Sequence, residues 1–512
     1  MESLGEEPWD TVICGTGLTQ SLLALALSRS KKRILHLDAN DFYGEHEAAL
    51  SLQEADAFAH SHAGGNTARQ PETTPVLSAK ESTLLRNAHV WRHSEAETLG
   101  LSSPRAYSLA LAPQIIYTKS KVLSQLVSSK AYRQVDFVAV GSFFVYDATD
   151  AVSGATLTRI PSSREDVFSA QSIPARSKRA LMKFLKFVID YDSDEQKPTW
   201  QDQADKPLVE YLVENFKLDK SLRDSIVAMT LTLDGKITVQ DGLGTIHRHL
   251  TSIGLFGPGF CAVYPKWGGI SEIAQVGCRA GAVGGGTYML DTPVSIDEPD
   301  DKGEITLKLS SEVSIRTSTI VASQQTCSNT SQVVSRLVAV VNSPLPSLFE
   351  TSTEGAPSPA VAVVAFPADS LPDSLHHELN VPIYAFVHSS DTGECPSGQS
   401  VVYLTMQTKP QSSDILDRAL AALLQAVTPT ADVVYKLFYE QAISSRQPLV
   451  TSHGSTTVFE FPSPSLSLAF DDGNLDAVEE TWKLIMKEQV LDESYMQFED
   501  REGIVDDDDG YD

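Results

Sequence analysis

Near the start of the chain, a glycine-rich turn stands between a strand-like and a helix-like segment. Thr11–Cys14 is a short apolar and β-branched run, Gly15 and Gly17 follow it, and Leu18–Ser30 has helical composition. Glycines in such a turn let a pyrophosphate approach the backbone, while the free N–H groups and the dipole of the helix face the anion. The pattern predicts a βαβ unit with a candidate dinucleotide-phosphate site.

Two further residues bear on whether this turn binds a cofactor. Asp38 closes the second predicted strand, Arg33–Leu37, where an acidic group would bind a ribose. Gln20, however, replaces the third glycine of the fingerprint, and its longer side chain would displace the helix or fill the phosphate space. On these residues alone, three interpretations stay open: an FAD site, a structural turn in a fold descended from flavoproteins, or an accidental match. The βαβ context argues against accident.

The charge of the chain is strongly unbalanced. It has 512 residues, and 40 Lys+Arg against 67 Asp+Glu give a net charge of −27. Such a balance disfavours nucleic acid or an anionic membrane as a direct electrostatic partner, and it suits a basic protein partner. An acidic surface can also simply keep a protein soluble, so a basic partner and solubility both remain as interpretations.

The cysteines and the hydropathy pattern indicate in which cellular compartment the protein works. The five cysteines form no C-x-x-C pair, which supports neither a disulfide framework nor a zinc site: Cys14, Cys261, Cys278, Cys327 and Cys395. The first residues are acidic rather than signal-like, and no run of about 18 apolar residues occurs. We therefore expect a cytoplasmic protein that neither spans a membrane nor holds a metal.

The chain divides by pattern into β-rich and helical parts. Residues 1–160 are strand-rich, apart from a polar stretch at 54–83 that we interpret as a disordered insertion. Residues 161–255 read as an inserted helical domain, 256–490 as the second β-rich part, and 491–512 as an unstructured acidic tail.

One helix of the predicted helical domain has a wide apolar stripe. Leu181, Phe184, Leu185 and Val188 recur at i, i+3, i+4 and i+7, which places them on one face. Such a stripe is usually part of a core, so by itself it assigns no ligand.

Longer motifs carry a resemblance to a known superfamily. Gly15-Thr-Gly17-Leu-Thr19 with Leu35-His-Leu-Asp38-Ala-Asn40-Asp-Phe-Tyr43-Gly44 resembles the opening of Rab GDP-dissociation inhibitors and Rab escort proteins. Tyr264-Pro-Lys-Trp-Gly-Gly-Ile-Ser-Glu272, and Arg279 through Gly285-Gly-Thr287-Tyr-Met289-Leu290, resemble a second region of that superfamily, and Tyr495–Gly503 looks like the end of fungal escort proteins.

The resemblance implies an α/β fold: a flavoprotein-like (FAD/NAD(P)-binding-type) large domain with mixed sheets, plus an inserted all-helical domain. It implies no cofactor, so Gly15, Gly17 and Asp38 would form a vestigial cofactor turn. The matching positions of a Rab-binding platform are Tyr43, Glu272, Arg279, Thr287 and Met289. The apolar stripe Leu181, Phe184, Leu185 and Val188 would line a groove for geranylgeranyl groups.

Within this superfamily, the chain resembles the escort branch. It has an insertion between Leu50 and Val90 and a long acidic C-terminal segment, which the dissociation inhibitors lack. The resemblance implies a non-enzymatic partner of GDP-bound Rab GTPases and of the Rab geranylgeranyltransferase heterodimer. It would shield the geranylgeranyl lipid and meet membranes only transiently, through the Rab. A Rab GDP-dissociation inhibitor proper is the first alternative.

An FAD-dependent amine-oxidase-like enzyme is the alternative of another class, because it shares the βαβ opening. Its late flavin-contacting motif is matched only loosely by Ala469–Trp482. Neither G-x-S-x-G, nor H-E-x-x-H, nor G-x-x-x-x-G-K-[ST] occurs, so no hydrolase reading is supported.

Overall fold

The computed structural model describes most of the chain. The described residues are 4–64, 76–78, 84–148, 155–161, 166–167, 173–297, 305–311, 313–324, 332–351, 353–371, 380–443, 449–463, 465–487 and 495–499. Within these ranges, no helix combines the length and the apolar character needed to cross a bilayer.

The predicted βαβ unit opens the fold. It consists of β1 (Thr11–Cys14), α1 (Leu18–Leu27) and β2 (Ile34–Leu37), and all residues of both strands are buried. Both strands read as apolar runs because a parallel sheet is covered on its two faces.

β1 and β2 belong to a six-stranded sheet in the order β11-β2-β1-β15-β22-β21. All its pairs are parallel except the last, β21–β22. The added strands are β11 (Thr287–Met289), β15 (Thr319–Ser323), β21 (Leu449–His453) and β22 (Thr456–Phe461).

Different layers cover the two faces of this sheet. Helices α1, α9 (Ile270–Val283) and α11 (Gly473–Met486) share one apolar cluster on the first face. The second face packs on a four-stranded sheet in the order β14-β13-β12-β4. Its strands are β4 (Val76–Ser78), β12 (Val294–Ile296), β13 (Thr306–Leu309) and β14 (Ser314–Arg316).

A larger mixed sheet has the order β5-β20-β16-β19-β18-β17-β8-β10-β7, and β9 pairs with β8. A small β3–β6 pair, with β3 (Ala49–Leu50) and β6 (Leu109–Ala110), stands beside it. The strands of the large sheet are β5 (Leu85–Arg92), β7 (Ile116–Tyr117), β8 (Phe137–Asp147), β9 (Thr156–Arg159), β10 (Ala262–Pro265), β16 (Val333–Val341), β17 (Val361–Phe366), β18 (Ile383–Ser389), β19 (Ser400–Gln407) and β20 (Val433–Ala442).

Most remaining helices cover this large sheet. Helix α10 (Ser412–Val427) packs on one face, while α2 (Leu52–Ser61) and a helical layer share the apolar cluster of the other. Between β9 and β10, the layer contains α4 (Ala175–Ile189), α5 (Lys197–Trp200), α6 (Leu208–Tyr211), a π-helical turn (Leu212–Phe216), α7 (Lys220–Met229) and α8 (Val239–Ser252). Helix α3 (Lys121–Ser128) lies between β7 and β8 and packs with α1 and α9.

Two expectations about irregular segments were wrong in part. The stretch predicted as disordered from residue 54 begins inside α2, where a capping box formed by Ser51 and Glu54 starts the helix and Phe58 is buried. The tail predicted from residue 491 includes ordered residues: Met496 is buried, and the Phe498 N–H donates to the Ser128 carbonyl (3.1 Å). Their apolar side chains outweigh the acidic context. Of the predicted insertion, the structure describes residues 54–64 and 76–78, and of the predicted tail it describes 495–499. The remaining residues of the two segments lie outside the described ranges.

Candidate functional site

A carboxylate of the chain itself lies on the glycine turn. Gly15 has φ +93°, and a Cβ placed on it would stand 2.2 Å from Glu45 Oε1. A Cβ on Gly17 would stand 2.9 Å from Glu45 Oε2. The small size of the two glycines therefore makes room for Glu45 at the place where the fingerprint holds a pyrophosphate.

The hydrogen-bond donors of the turn are also used internally. The Leu18 N–H at the start of α1 donates to Glu47 Oε2 (3.0 Å). Gln20 is buried, and its Nε2 donates to Glu45 Oε2 (3.2 Å) and to Ser323 Oγ. Of the two outcomes considered for Gln20, the structure shows the second: its side chain fills the space over the turn.

Asp38 directly follows β2, as predicted, but its oxygens have partners within the chain. Its Oδ2 accepts from the Thr16 backbone N–H (2.7 Å) and from the Thr16 hydroxyl (2.6 Å). Its Oδ1 accepts from the Asn40 N–H (2.8 Å) and from Asn40 Nδ2 (3.0 Å). A ribose would have to displace these bonds.

The residues present do not fit a dinucleotide cofactor. A pyrophosphate at this turn would overlap the Glu45 side chain, and the donors that would bind it already bond to Asp38, Glu47 and Glu45. Burying the two negative charges of a pyrophosphate without hydrogen-bond donors or counter-ions is strongly unfavourable. The occupied turn argues against the FAD-dependent oxidase alternative.

Burial perturbs the carboxyl groups of this cluster. The pKa of Glu45 is raised by its burial and by the neighbouring Asp38. Burial also raises the pKa of Glu47 from 4.5 to about 7, against the opposing hydrogen bond from Leu18. The folded chain therefore binds protons at the turn that the unfolded chain releases at a lower pH.

We expect Glu47→Gln to stabilise the protein at neutral and alkaline pH. A carboxyl whose pKa is higher in the folded state contributes full stability below pH 4.5 and loses it as pH rises towards 7. Glutamine keeps an acceptor for Leu18 without the charge. The difference in unfolding free energy should grow by about 1 kcal/mol per pH unit across this window, measured by urea denaturation at several pH values.

The exposed Glu97 provides a matched control. Glu97→Gln should change the free energy of unfolding by no more than about 0.5 kcal/mol, because the position is exposed. A Glu47→Gln difference that did not change between pH 4.5 and 7 would contradict the assignment of a buried, protonated carboxyl to this turn.

A second surface brings together three of the five predicted platform residues. Glu272 stands in the first turn of α9 and Arg279 two turns later, so both lie on one side of the helix. Burial raises the pKa of the half-buried Glu272, while Arg279 acts in the opposite direction. Burial likewise raises the pKa of Tyr43, and Cys278 and Arg279 are among the groups that act on it. We name the surface of Tyr43, Glu272 and Arg279 the α9 face.

The other two platform residues lie on β11, at the edge of the six-stranded sheet. Thr287 pairs with Leu35 and Met289 with Leu37, whereas Tyr288 between them points to the opposite face of the sheet. Met289 packs against the cluster under the four-stranded sheet, on the side away from α9. Thr287 and Met289 therefore lie on the face of the six-stranded sheet opposite α9, and not on the α9 face itself.

Two neighbours of the α9 face were not predicted. Arg279 Nη1 donates to Gln134 Oε1 (3.4 Å), and Asp136 is among the charges that act on Glu272. They precede β8 and reach α9 only through the tertiary fold. No spacing in the sequence could have indicated them.

The predicted lipid-lining residues are mainly core residues. Leu181, Phe184 and Val188 are buried in α4, and Leu185 is half-buried and packs against the same apolar cluster. The Phe184 ring meets Phe216 of the π-helical turn edge-on, with centroids 5.1 Å apart. In this conformation, the stripe packs the helical layer together.

Comparisons with known proteins agree with this architecture. The family model of the GDP dissociation inhibitor matches residues 5–70 and 79–363. Rab proteins geranylgeranyltransferase component A of Saccharomyces cerevisiae is 30% identical over 428 residues, which are 82% of this chain and 65% of that protein. The chain thus spans less than two thirds of the length of this relative.

Two other matches concern dissociation inhibitors. Probable secretory pathway GDP dissociation inhibitor 1 of Schizosaccharomyces pombe is 26% identical over 56% of this chain and 58% of that protein. The crystal structure of a Rab GDI from Plasmodium falciparum superposes with a TM-score of 0.64 at 18% identity, covering 93% of this chain and 98% of that one. Because the family model spans more than half of the chain, the protein belongs to the GDP dissociation inhibitor family.

Proposed function

We propose that this protein is a Rab escort protein. It binds a GDP-bound Rab GTPase, presents it to the Rab geranylgeranyltransferase, shields the attached lipid and delivers the Rab to membranes. The observation that carries the proposal is the α9 face, in a chain whose cofactor turn is filled by its own carboxylates. That combination suits a binding protein rather than an oxidase.

The chemistry of the α9 face supports a protein partner. Tyr43 offers a rigid aromatic ring with a polar tip, and the exposed Arg279 presents a planar donor fork that matches a carboxylate. Glu272 adds the opposite charge beside it, so the pair can read a partner in one orientation. We keep Thr287 and Met289 in the platform as residues at the edge of β11.

The helical layer is proposed to shield the lipid. Withdrawing a geranylgeranyl chain from water is favourable by about 0.8 kcal/mol for each buried CH₂, which competes with a membrane. Leu185, which is half-buried, would touch such a chain through the exposed part of its side chain. Leu181, Phe184 and Val188 would reach it only if α4 moved away from the π-helical turn. We place the transferase contact on the same layer, near Leu208–Phe216.

The extent of the match to the S. cerevisiae transferase component favours the escort branch over the dissociation inhibitor. The match to the S. cerevisiae transferase component covers 82% of this chain, against 56% for the S. pombe inhibitor. A cytoplasmic carrier with transient, Rab-mediated membrane contact follows from this role.

The test is geranylgeranylation of a recombinant GDP-loaded Rab by the purified transferase, with and without this protein. We expect stimulation by the wild type and a rise of at least about tenfold in the KM for Rab with Arg279→Ala, because the variant loses a charge-assisted contact. Arg316→Ala, an exposed arginine on β14, should behave like the wild type.

Two other outcomes of these measurements would favour the dissociation inhibitor or the flavin-dependent enzyme instead. Extraction of prenylated Rab from membranes without stimulation of the transferase would indicate a dissociation inhibitor. A visible flavin absorption band in the purified protein would reject the escort proposal and the filled turn together.

A further inference from the structure

An exposed tryptophan stands on a strained turn beside the α9 face. Trp267 lies between β10 and α9 and is 45% exposed. Its φ is +61°, a left-handed conformation that costs energy for any residue with a Cβ and is unusual for a bulky aromatic. A large apolar side chain that is held out of the core at a strained position calls for a functional explanation.

The turn is fixed by contacts on both sides. The Trp267 N–H donates to the Thr392 carbonyl (2.8 Å), and the Ser108 hydroxyl donates to the Trp267 carbonyl (2.6 Å). The indole ring rests on Gly393, where a Cβ would stand 2.3 Å from Trp267 Cδ1. Gly393 itself has φ +79°. The direction of the ring is therefore determined by the backbone on which it rests.

A buried hydrogen-bond cluster supports this arrangement from below. Glu394, next to Gly393, accepts from the Tyr264 hydroxyl (2.7 Å), the Tyr403 hydroxyl (2.9 Å) and His388 Nδ1 (2.7 Å). All four side chains are buried. The cluster joins β10, β18 and β19 immediately beneath the turn, and this fixes residues 392–394 as a rigid base for Trp267.

A second exposed tryptophan shows how unusual this setting is. Trp91 is 42% exposed, and the Lys436 ammonium lies 4.6 Å from its ring centroid. Lys266 stands 4.7 Å from the Trp267 ring in the same way. Trp91, however, stands on strand β5 and has no left-handed backbone. Of these two tryptophans, only Trp267 combines a left-handed backbone with the contacts to Thr392, Ser108 and Gly393 described above.

The turn is continuous with the α9 face. Helix α9 begins at Ile270, and the Lys266 N–H before the turn donates to the carbonyl of Asp136 (2.9 Å), the residue that acts on Glu272. Gly44, next to Tyr43, lies against Ser271, whose Oγ is 3.1 Å from the position of a Cβ on Gly44. A partner seated on Tyr43, Glu272 and Arg279 therefore meets the turn at the N-terminal end of α9.

We propose that Trp267 is an additional anchor for the GTPase bound at the α9 face, and that Gly393 and the Glu394 cluster hold its ring in the binding orientation. The inference rests on the proposed function. The ring with Lys266 over it fits an apolar patch of the partner that carries a neighbouring carboxylate. Trp267 is a contact residue, and Glu394 is a positioning residue.

The experiment compares three variants of the full chain in binding to a GDP-loaded Rab, by titration calorimetry. Trp267→Gly removes the ring and relieves the left-handed strain, so we expect Kd to rise about tenfold or more with an unchanged or higher Tm. Gly393→Ala keeps the ring but displaces it, and should also raise Kd. Trp91→Ala, the matched control, should bind like the wild type.

The outcomes separate the inference from the function on which it rests. If wild-type protein does not bind Rab, the proposed function fails before the variants are compared. If wild type and Trp91→Ala bind and Trp267→Gly binds equally well, the anchor is rejected. A Trp267→Gly variant that binds weakly but also loses several degrees of Tm would identify a structural tryptophan and likewise overturn the proposal.

Discussion

Replacing Glu394 by alanine is expected to lower the free energy of unfolding by about 4 kcal/mol. The carboxylate is fully buried and accepts from Tyr264, Tyr403 and His388, so its removal leaves three buried donors without this acceptor and creates a cavity. Removing one member of a buried, hydrogen-bonded group typically costs 3–5 kcal/mol. Urea denaturation followed by far-UV circular dichroism measures the change.

Two controls sharpen this result. Glu394→Gln keeps one acceptor oxygen, so it should lose about half as much stability as the alanine variant. Glu350→Ala, at an exposed position, should stay within about 0.5 kcal/mol of the wild type. Equal stability of Glu394→Ala and wild type would mean that the cluster does not hold the base of the Trp267 turn.

Phe184→Ala is expected to cost a similar amount, about 3–5 kcal/mol, because the ring is fully buried in the helical layer. Its edge-on contact with Phe216 would also be lost. The loss should be visible as a lower denaturation midpoint in the absence of any Rab or lipid. Such a result identifies Phe184 as a core residue that reaches lipid only after a rearrangement of α4.

Leu185 is the natural comparison on the same helix. It is half-buried, so Leu185→Ala should cost about 1–2 kcal/mol, less than Phe184→Ala, but should weaken retention of a prenylated Rab. A Phe184→Ala protein with wild-type stability would instead show that the stripe lines an open groove.

The local elements were predictable because their signals are local. β1 occupies Thr11–Cys14 as expected, and α1 begins at Leu18 as the helix-like segment after the glycine turn predicted. Apolar runs and glycine turns determine these elements within a few residues. The stripe on α4 was also visible, and the usual meaning of such a stripe, a core face, is what the structure shows.

The filling of the glycine turn could not be predicted in the same way. Gln20 indicated an altered site, because it replaces the third glycine of the dinucleotide-binding fingerprint. Glu45 and Glu47 gave no such signal, because their position over Gly15 and at the Leu18 N–H depends on the path of the chain after β2.

The α9 face shows the same limit. The resemblance supplied Tyr43, Glu272 and Arg279, and the seven-residue spacing supplied their shared helix side. The sequence gives Trp267 no signal beyond its place in the Tyr264–Glu272 motif. Its importance rests on Gly393 and Glu394, which are distant in sequence and became its neighbours only in the folded sheet.

The strand order of the six-stranded sheet also has a consequence for how the chain is made. β1 pairs with β15, which in turn pairs with β22, so the sheet joins segments hundreds of residues apart. During synthesis at roughly 5–20 residues per second, the first βαβ unit waits on the order of tens of seconds for its partners. Non-local pairing of this kind folds slowly, and the unpaired edge of β1 is meanwhile open to aggregation. Nascent chains of this protein should therefore depend on chaperones until residue 461 has left the ribosome.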